Sequence, residues 1–412
     1  MFLGPRQKAS RPTNVSIIKF IAIFICGFVT CLLSFKINNT SQLHQVFTNY
    51  CPALKCGCSK AQTSDTHSTL FPNKLNISRL ISSKHCDSFF TTWANKNNYI
   101  ISKELIWYNK TQCKRVHLPE CQPKQLIGPL AVDFKHIQMK VLKEREVPYV
   151  DQGGWLAPLD CKVKAHTAVI VPFRNRESHL PILLHQLLPI FQRRNQHFRV
   201  FVIEQSLNHT FNRGKLMNVG YREALRYFPY TCFVFHDVDL IPESDHIEFS
   251  CEQSPAHLSV AIDTFRYKLP YKSLFGGAEM LTREHFKLIN GFSNSFWHWG
   301  GEDDNLYHRV KAHRLTLKRQ SVQTARYKMI KHQKSKNIRG GKTKSRGRSP
   351  SWEYMKSSLA HIKADGLNNL QYEILSRTDE LLYTHIRVNL RKHLDLEFGQ
   401  RKYRRDEVDW YL

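Results

Sequence analysis

Acidic residues are scarce in this chain of 412 residues: 34 Asp and Glu stand against 61 Lys and Arg, for a formal net charge of +27. A surplus of that size points to an anionic partner: nucleic acid, a charged membrane surface, or small ligands such as nucleotide phosphates. The chain has no zinc-finger spacing and no RNA-binding aromatic signature, so a nucleic-acid reading has only charge behind it. Cys56-Gly57-Cys58 has the wrong spacing for a zinc pair. From Lys331 to Arg348 there is no acid at all among eight Lys and Arg. That stretch, centred on Gln333 to Ser351, reads as a basic loop: a solvated segment, a polyanion-binding patch, or a lid over a phosphate-bearing ligand.

What is present is a long apolar run, 42% hydrophobic residues overall, and 11 cysteines. Ile17 to Phe35 is interrupted only by Lys19, Thr30 and Ser34. Its length suits a membrane-crossing helix. Arg6, Lys8 and Arg11 precede it and Lys36 follows, which orients the N-terminus to the cytosol. A cleaved signal peptide is the rival, but Ser34-Phe35-Lys36 is a poor cleavage site. The resulting layout is a cytoplasmic tail (1–15), a transmembrane signal-anchor helix (16–35), a lumenal stem (36–120), a catalytic domain (121–400) and a C-terminal tail (401–412). Sequons at Asn38, Asn39, Asn76, Asn109 and Asn208 agree with a lumenal location. Nine cysteines would face an oxidising compartment, and an odd number leaves one thiol free or paired between chains. A disulfide-linked or stem-mediated homodimer follows as one expectation.

From about Cys121 strands alternate with helices. Runs at 167–172, 198–204, 231–235 and 258–262 read as strands, and 180–194 and 212–228 as helices. This is an α/β pattern with a Rossmann-like, mostly parallel sheet, in which ligands bind beyond the carboxyl ends of the strands. After the first strand comes Phe173-Arg174-Asn175-Arg176, where an aromatic and two guanidiniums suit a base and a diphosphate. After the third comes His236-Asp237-Val238-Asp239. Paired acids there repel unless a cation joins them; a turn with an Asp cap is the plainer reading. Met329 and His332 lie three apart, and on chemistry alone Met329 suits a core position better than a ligand for a hard ion. Trp297-His298-Trp299-Gly300-Gly301-Glu302-Asp303-Asp304 joins aromatic faces for a sugar ring, glycines for close approach, and three acids that accept hydroxyl hydrogen bonds. The same letters also describe a glycine turn before the acidic start of a helix.

Together these stretches resemble the β-1,4-galactosyltransferase family, glycosyltransferase family 7, including its N-acetylgalactosaminyltransferase members. Phe211-Asn-Arg-Gly-Lys-Leu-Met-Asn-Val-Gly-Tyr221, Phe275-Gly-Gly277, Ile289-Asn-Gly-Phe292 and Asp365-Gly-Leu-Asn368 carry the resemblance further. It implies a GT-A nucleotide-sugar transferase fold and an inverting, Mn²⁺-dependent transfer of GalNAc or Gal from a UDP-sugar. The acceptor would be the 4-hydroxyl of terminal GlcNAc on glycoproteins or glycolipids, and the setting the Golgi membrane. By motif matching, Asp239, Met329 and His332 would hold Mn²⁺. Pro172, Phe173, Arg174, Arg176, Phe211, Arg213, Asp237, Val238, Gly277 and Trp299 would meet UDP-GalNAc or UDP-Gal. Asp303 would be the base, with Glu302 and Trp299 beside it in the catalytic group, and Tyr271, Asp304, Trp352 and Met355 would line the acceptor site. Cys121–Cys161 and Cys232–Cys251 match the family's disulfides. Leu274 stands where galactose-using members carry Tyr, which leaves room for an N-acetyl group and favours UDP-GalNAc over UDP-Gal. A non-catalytic lumenal protein that binds carbohydrate or polyanions is the different-class alternative.

Overall fold

In a computed structural model, helix α1 (Met139–Glu146) and a two-residue strand β1 (Trp155–Leu156) lead into β2 (His166–Phe173). Seven of the eight β2 residues are buried, as its β-branched run demands of a strand covered on both faces. Helix α2 (His179–Arg193) follows, then β3 (His197–Gln205), α3 (Arg213–Tyr227) and β4 (Cys232–His236). Each agrees with its sequence expectation to within a residue or two. Next come β5 (Leu240–Pro242), β6 (Ala256–His257), β7 (Ala261–Ile262), β8 (Ala278–Thr282), α4 (Arg283–Leu288) and α5 (Glu302–Ala312). The last described elements are β9 (Lys318–Arg319), β10 (Arg326–Met329), β11 (Glu373–Asp379) and β12 (Thr384–Asn389).

The structure describes residues 100, 104, 118–135, 137–146, 150–206, 210–297, 300–331 and 359–391. The apolar N-terminal run, most of the stem, the five sequons, the basic loop, the C-terminal tail, and Trp299, His332, Trp352 and Met355 lie outside them. Among the described residues no helix is long and apolar enough to cross a membrane.

The main sheet has nine strands in the order β11-β12-β3-β2-β4-β8-β6-β9, with β1 alongside β3. Two expectations need correction. The sheet is mixed rather than mostly parallel: β12, β3, β2 and β4 run parallel, whereas β8 is antiparallel to both β4 and β6, and β11 to β12. A run of β-branched residues cannot tell the two directions apart. The single strand expected at 258–262 is reduced to Ala261–Ile262. Its neighbourhood supplies β6 to the main sheet and β7 to a separate sheet ordered β5-β10-β7. Ser259, between them, turns its hydroxyl onto Gly276 and Ala278 instead of pairing within a strand.

One continuous core joins α2 to the sheet, with Phe191 stacked on Phe198 and tilted against Phe249. The disulfides Cys121–Cys161 and Cys232–Cys251 are both formed. Packing also extends upstream of Cys121. Glu104 is fully buried, 2.9 Å from Arg199 Nη1, and accepts from the Tyr230 hydroxyl at 2.6 Å; Ile100 N donates to the Arg226 carbonyl.

Candidate active site

Strand order fixes where the site lies. From β2 the chain moves to β3 on one side and returns as β4 on the other, so the order reverses between β2 and β4. Ligands in open α/β sheets bind at such a reversal, beyond the carboxyl ends. Phe173 ends β2 and His236 ends β4, which brings Arg174–Arg176 and Asp237–Asp239 to that point. Arg174 lies over the Phe211 ring, its Cζ 5.0 Å from the centroid. Burial and the neighbouring Arg176 together lower the Arg174 pKa. Two cations held side by side in this way are a receptor for a dianion.

Arg213, the first residue of α3, reaches across the same end of the sheet. Its Nε donates to Asp237 Oδ1 at 2.6 Å, and its Nη2 to both oxygens of Glu279 at 2.9 and 3.1 Å. The N-cap Asn212 holds the start of α3: its side chain accepts from Lys215 N at 2.8 Å and donates to the Asn294 carbonyl at 2.7 Å.

The Phe-Gly-Gly turn lies alongside. Asp237 N donates to the Gly277 carbonyl at 2.8 Å, and Gly277 has φ +85°, a conformation that favours glycine. The Gly276 carbonyl accepts from Ser259 Oγ at 2.9 Å and lies 2.9 Å from His257 Nε2. Burial depresses His257 to about 3, so the ring is neutral. A Cβ on Gly276 would lie 2.6 Å from Asp303 Oδ2: Asp303 packs directly on this turn.

Asp303 belongs to the first turn of α5, with Glu302 and Asp304. Gly301 is the N-cap, at φ 98°. The plain reading of the motif holds: a glycine turn does start an acidic helix, and Asp303 in its first turn lies against the Phe-Gly-Gly turn. Burial first, then Asp303, pushes Glu302 up to about 7. Burial also dominates at Glu279, which is pushed up to about 8 despite Arg213. Asp304 is raised by burial and by Asp303. Arg213 thus faces three carboxylates, Asp237, Glu279 and Glu302, with Asp303 next to them. Tyr271 is 45% exposed with its hydroxyl 3.5 Å from Asp304 Oδ2, which places both at the open side.

Of the expected metal ligands, the structure brings two together. Met329 in β10 pairs with Leu240 in β5, and Ile330 N donates to the Asp239 carbonyl at 2.8 Å. Asp239, in the turn just before β5, therefore lies opposite Ile330, one residue beyond Met329 at the end of β10. Among the described residues no group of three or more His, Cys, Asp or Glu could hold a metal; the expected set has one such residue there, Asp239, since His332 lies two residues beyond Ile330. Val238 is 7% exposed and packs into the core. Leu274 lies in the turn before Phe275, its carbonyl accepting from Arg319 Nη2 at 3.0 Å.

The motifs passed over Glu279, His257, Ser259 and Arg319. A lone Glu inside Ala278–Thr282, an otherwise apolar strand, was the one available signal, because a carboxylate is seldom buried without a partner.

The chain is similar in sequence to known proteins. The N-terminal region of glycosyl transferase group 7 matches residues 119–252, and the N-terminal domain of galactosyltransferase matches residues 256–333. Beta-1,4-galactosyltransferase 5 of Mus musculus is 40% identical over 278 residues, 67% of this chain and 69% of that protein. Beta-1,4-galactosyltransferase 1 of Homo sapiens is 38% identical over 275 residues, 66% of this chain and 67% of that protein. The solved catalytic domain of Drosophila β1,4-galactosyltransferase 7 with xylobiose is 27% identical, with a TM-score of 0.44, and covers 55% of this chain and 94% of that one. The chain belongs to the glycosyl transferase group 7 family.

Proposed function

We propose that this protein is an inverting, Mn²⁺-dependent β-1,4-glycosyltransferase, anchored in the Golgi membrane with residues 36–412 in the lumen. It transfers a hexosyl group from a UDP-sugar to the 4-hydroxyl of a terminal GlcNAc. The observation that carries this is the convergence at the β2/β4 reversal: Asp303 packs on Gly276, beside the Asp237–Arg213 pair and the Arg174–Arg176 end of β2. The relatives' names, β-1,4-galactosyltransferases, support the reaction class.

Asp239, Met329 and His332 would hold the Mn²⁺, which when bound supplies charge neutralisation for the departing diphosphate. The Asp239 carboxylate fits such a group by its chemistry, and strand pairing brings the chain at Met329 within a residue of it; the thioether is an uncommon donor for a hard ion. The chain's own groups do the rest. Phe173, Arg174 and Arg176 bind the nucleotide, with Phe211 beneath Arg174. Asp237, the Gly277 main chain and Glu302 hold the donor sugar. Glu302, pushed up to about 7, can donate as well as accept a hydrogen bond near neutral pH. Asp303 takes the proton from the acceptor hydroxyl as that oxygen attacks the anomeric carbon from the face opposite UDP. One displacement inverts the centre, so no side-chain nucleophile is required. Tyr271 and Asp304 orient the acceptor.

For the donor, Leu274 favours UDP-GalNAc, since an aliphatic side chain leaves space that a tyrosine would fill. The relatives' names favour the second reading, UDP-Gal. The test is turnover by the full-length protein with Mn²⁺ and a GlcNAc acceptor, comparing UDP-GalNAc with UDP-Gal. Preference for UDP-GalNAc supports the pocket argument. Preference for UDP-Gal keeps the reaction and removes the role of Leu274. No turnover by folded protein that binds UDP contradicts the assignment of Asp303. Retention on heparin without UDP binding supports a non-catalytic polyanion binder.

A further inference from the structure

We propose that Glu279 is a positioning residue of the donor site: it pins the Arg213 guanidinium so that this one cation holds Asp237 toward the donor. The inference rests on the UDP-sugar reading of the site and names a member of it that no motif contains.

Glu279 lies in β8, opposite Phe235 of β4 and His257 of β6, and has no exposed surface. Its strand neighbours Ala278, Met280 and Leu281 are all buried apolar residues. A carboxylate in such a strand is unfavourable unless paired, and pairing alone is poor value for stability, because a hydrophobic side chain of similar volume serves as well or better. The pair is therefore better explained by what it holds in place.

Geometry says what that is. A guanidinium is a rigid planar fork. Two of its three nitrogens are fixed here, Nη2 by both Glu279 oxygens and Nε by Asp237 Oδ1. The third, Nη1, is buried and has no hydrogen-bond partner among the described residues. A buried unsatisfied donor is costly, and a ligand oxygen would satisfy it. Arg213 lies at the start of α3, Asp237 at the end of β4 and Glu279 in β8, so the trio ties three elements at the point where the donor would bind. Without Glu279, Arg213 is held at one corner and the fork can rotate about that contact, taking Asp237 and Nη1 out of register.

The experiment is a two-substrate kinetic series with UDP affinity measured by calorimetry, on full-length wild type, Glu279→Ala, Glu279→Gln, Arg213→Met and the Arg213→Met/Glu279→Ala double variant. In Glu279→Ala, donor KM and UDP Kd are expected to rise ~10-fold with acceptor KM unchanged. Glu279→Gln, isosteric and still an acceptor for Nη2, is expected to recover most of that loss. Because Glu279 acts through Arg213, the double variant is expected to match Arg213→Met alone. If Glu279→Ala does not fold, the cycle is run with Glu279→Gln, whose smaller effect is likewise expected to vanish in the Arg213→Met background. The proposal is overturned by wild-type donor KM in Glu279→Ala, by donor and acceptor KM rising together, or by an effect of residue 279 that persists without Arg213. Wild type that binds no UDP overturns the donor-site reading itself, and this inference with it.

Discussion

Replacing Gly276 by Ala isolates the contact between the Phe-Gly-Gly turn and the base. A Cβ at residue 276 would lie 2.6 Å from Asp303 Oδ2, 2.9 Å from its Cβ and 3.2 Å from its Cγ. Ordinary carbon contacts begin near about 3.5 Å, so Asp303 would have to retreat by roughly 0.5–1 Å. It cannot do so by a free swing of its carboxylate alone, because the clash includes its Cβ and because Oδ1 accepts from Asp304 N at 2.9 Å. A misplacement of that size costs about 10²-fold in rate. The backbone tolerates the change: Gly276 is not among the positive-φ glycines, so an unfolded-chain gain of about 0.4–1 kcal/mol offsets part of the overpacking against Asp303. Gly277→Ala is the control. There φ is +85° and the added Cβ would sit 2.5 Å from Leu240 Cδ1 and 2.8 Å from Ser259 Oγ. Left-handed strain of about 1–2 kcal/mol then adds to overpacking. Thermal melts and steady-state kinetics on both variants separate the effects. Gly276→Ala is expected to lose less Tm than Gly277→Ala and to keep its UDP affinity while kcat falls about 10²-fold. A Gly276→Ala protein with kcat within about threefold of wild type would refute the placement of Asp303 as base, since a rate that ignores a displacement of the base is a rate that does not use it.

Three further outcomes follow from the same geometry. Glu279 and Glu302 are pushed up to about 8 and about 7, so the folded state holds protons that the unfolded chain releases, and stability falls as pH rises toward those values. His236 and His257, depressed by burial to about 4 and about 3, act in the opposite sense only below about pH 6.5. The Tm of unliganded protein is therefore expected to fall between about pH 6.5 and 8, and Glu279→Gln to flatten that slope; an unchanged slope contradicts the assignment. Leu274→Tyr is expected to move the ratio of UDP-GalNAc to UDP-Gal turnover toward UDP-Gal by about 10- to 100-fold, the range of about 1–3 kcal/mol for a pocket change of this kind. Cys121 and Cys161 close a loop with a sequence separation of 40. Replacing both by Ala is expected to cost about 4 kcal/mol, read as a lower denaturant midpoint, with a somewhat steeper slope because the uncrosslinked unfolded chain is more expanded.

Much of the fold was legible because β2, β3 and β4 are short runs of β-branched and aromatic residues buried on both faces, with helices at 3.6-residue periodicity between them. Strand direction was not, because burial on both faces gives the same pattern in parallel and antiparallel neighbours; β8 pairs antiparallel with β4 through Glu279 opposite Phe235. Two-residue strands such as β6 and β9 carry no periodicity to read. In the site, Asp237, Asp239 and Glu302–Asp304 stood out because acids at a strand end or after two glycines break the local apolar pattern. Glu279, His257 and Ser259 stayed hidden: each is a single buried polar residue whose reason, Arg213 for one and the Gly276 carbonyl for the other two, lies far away in sequence.

The central claim is inverting β-1,4 transfer with Asp303 as base. It is tested most directly by incubating the full-length protein with Mn²⁺, its preferred UDP-sugar and a GlcNAc acceptor. The product linkage and anomeric configuration are then read by NMR, with Asp303→Asn alongside. The account predicts a β1-4 disaccharide, and for Asp303→Asn a loss of about 10²- to 10⁴-fold in kcat with UDP binding retained. An α-linked product, a linkage to another hydroxyl, or an Asp303→Asn protein that still turns over at the wild-type rate would contradict it.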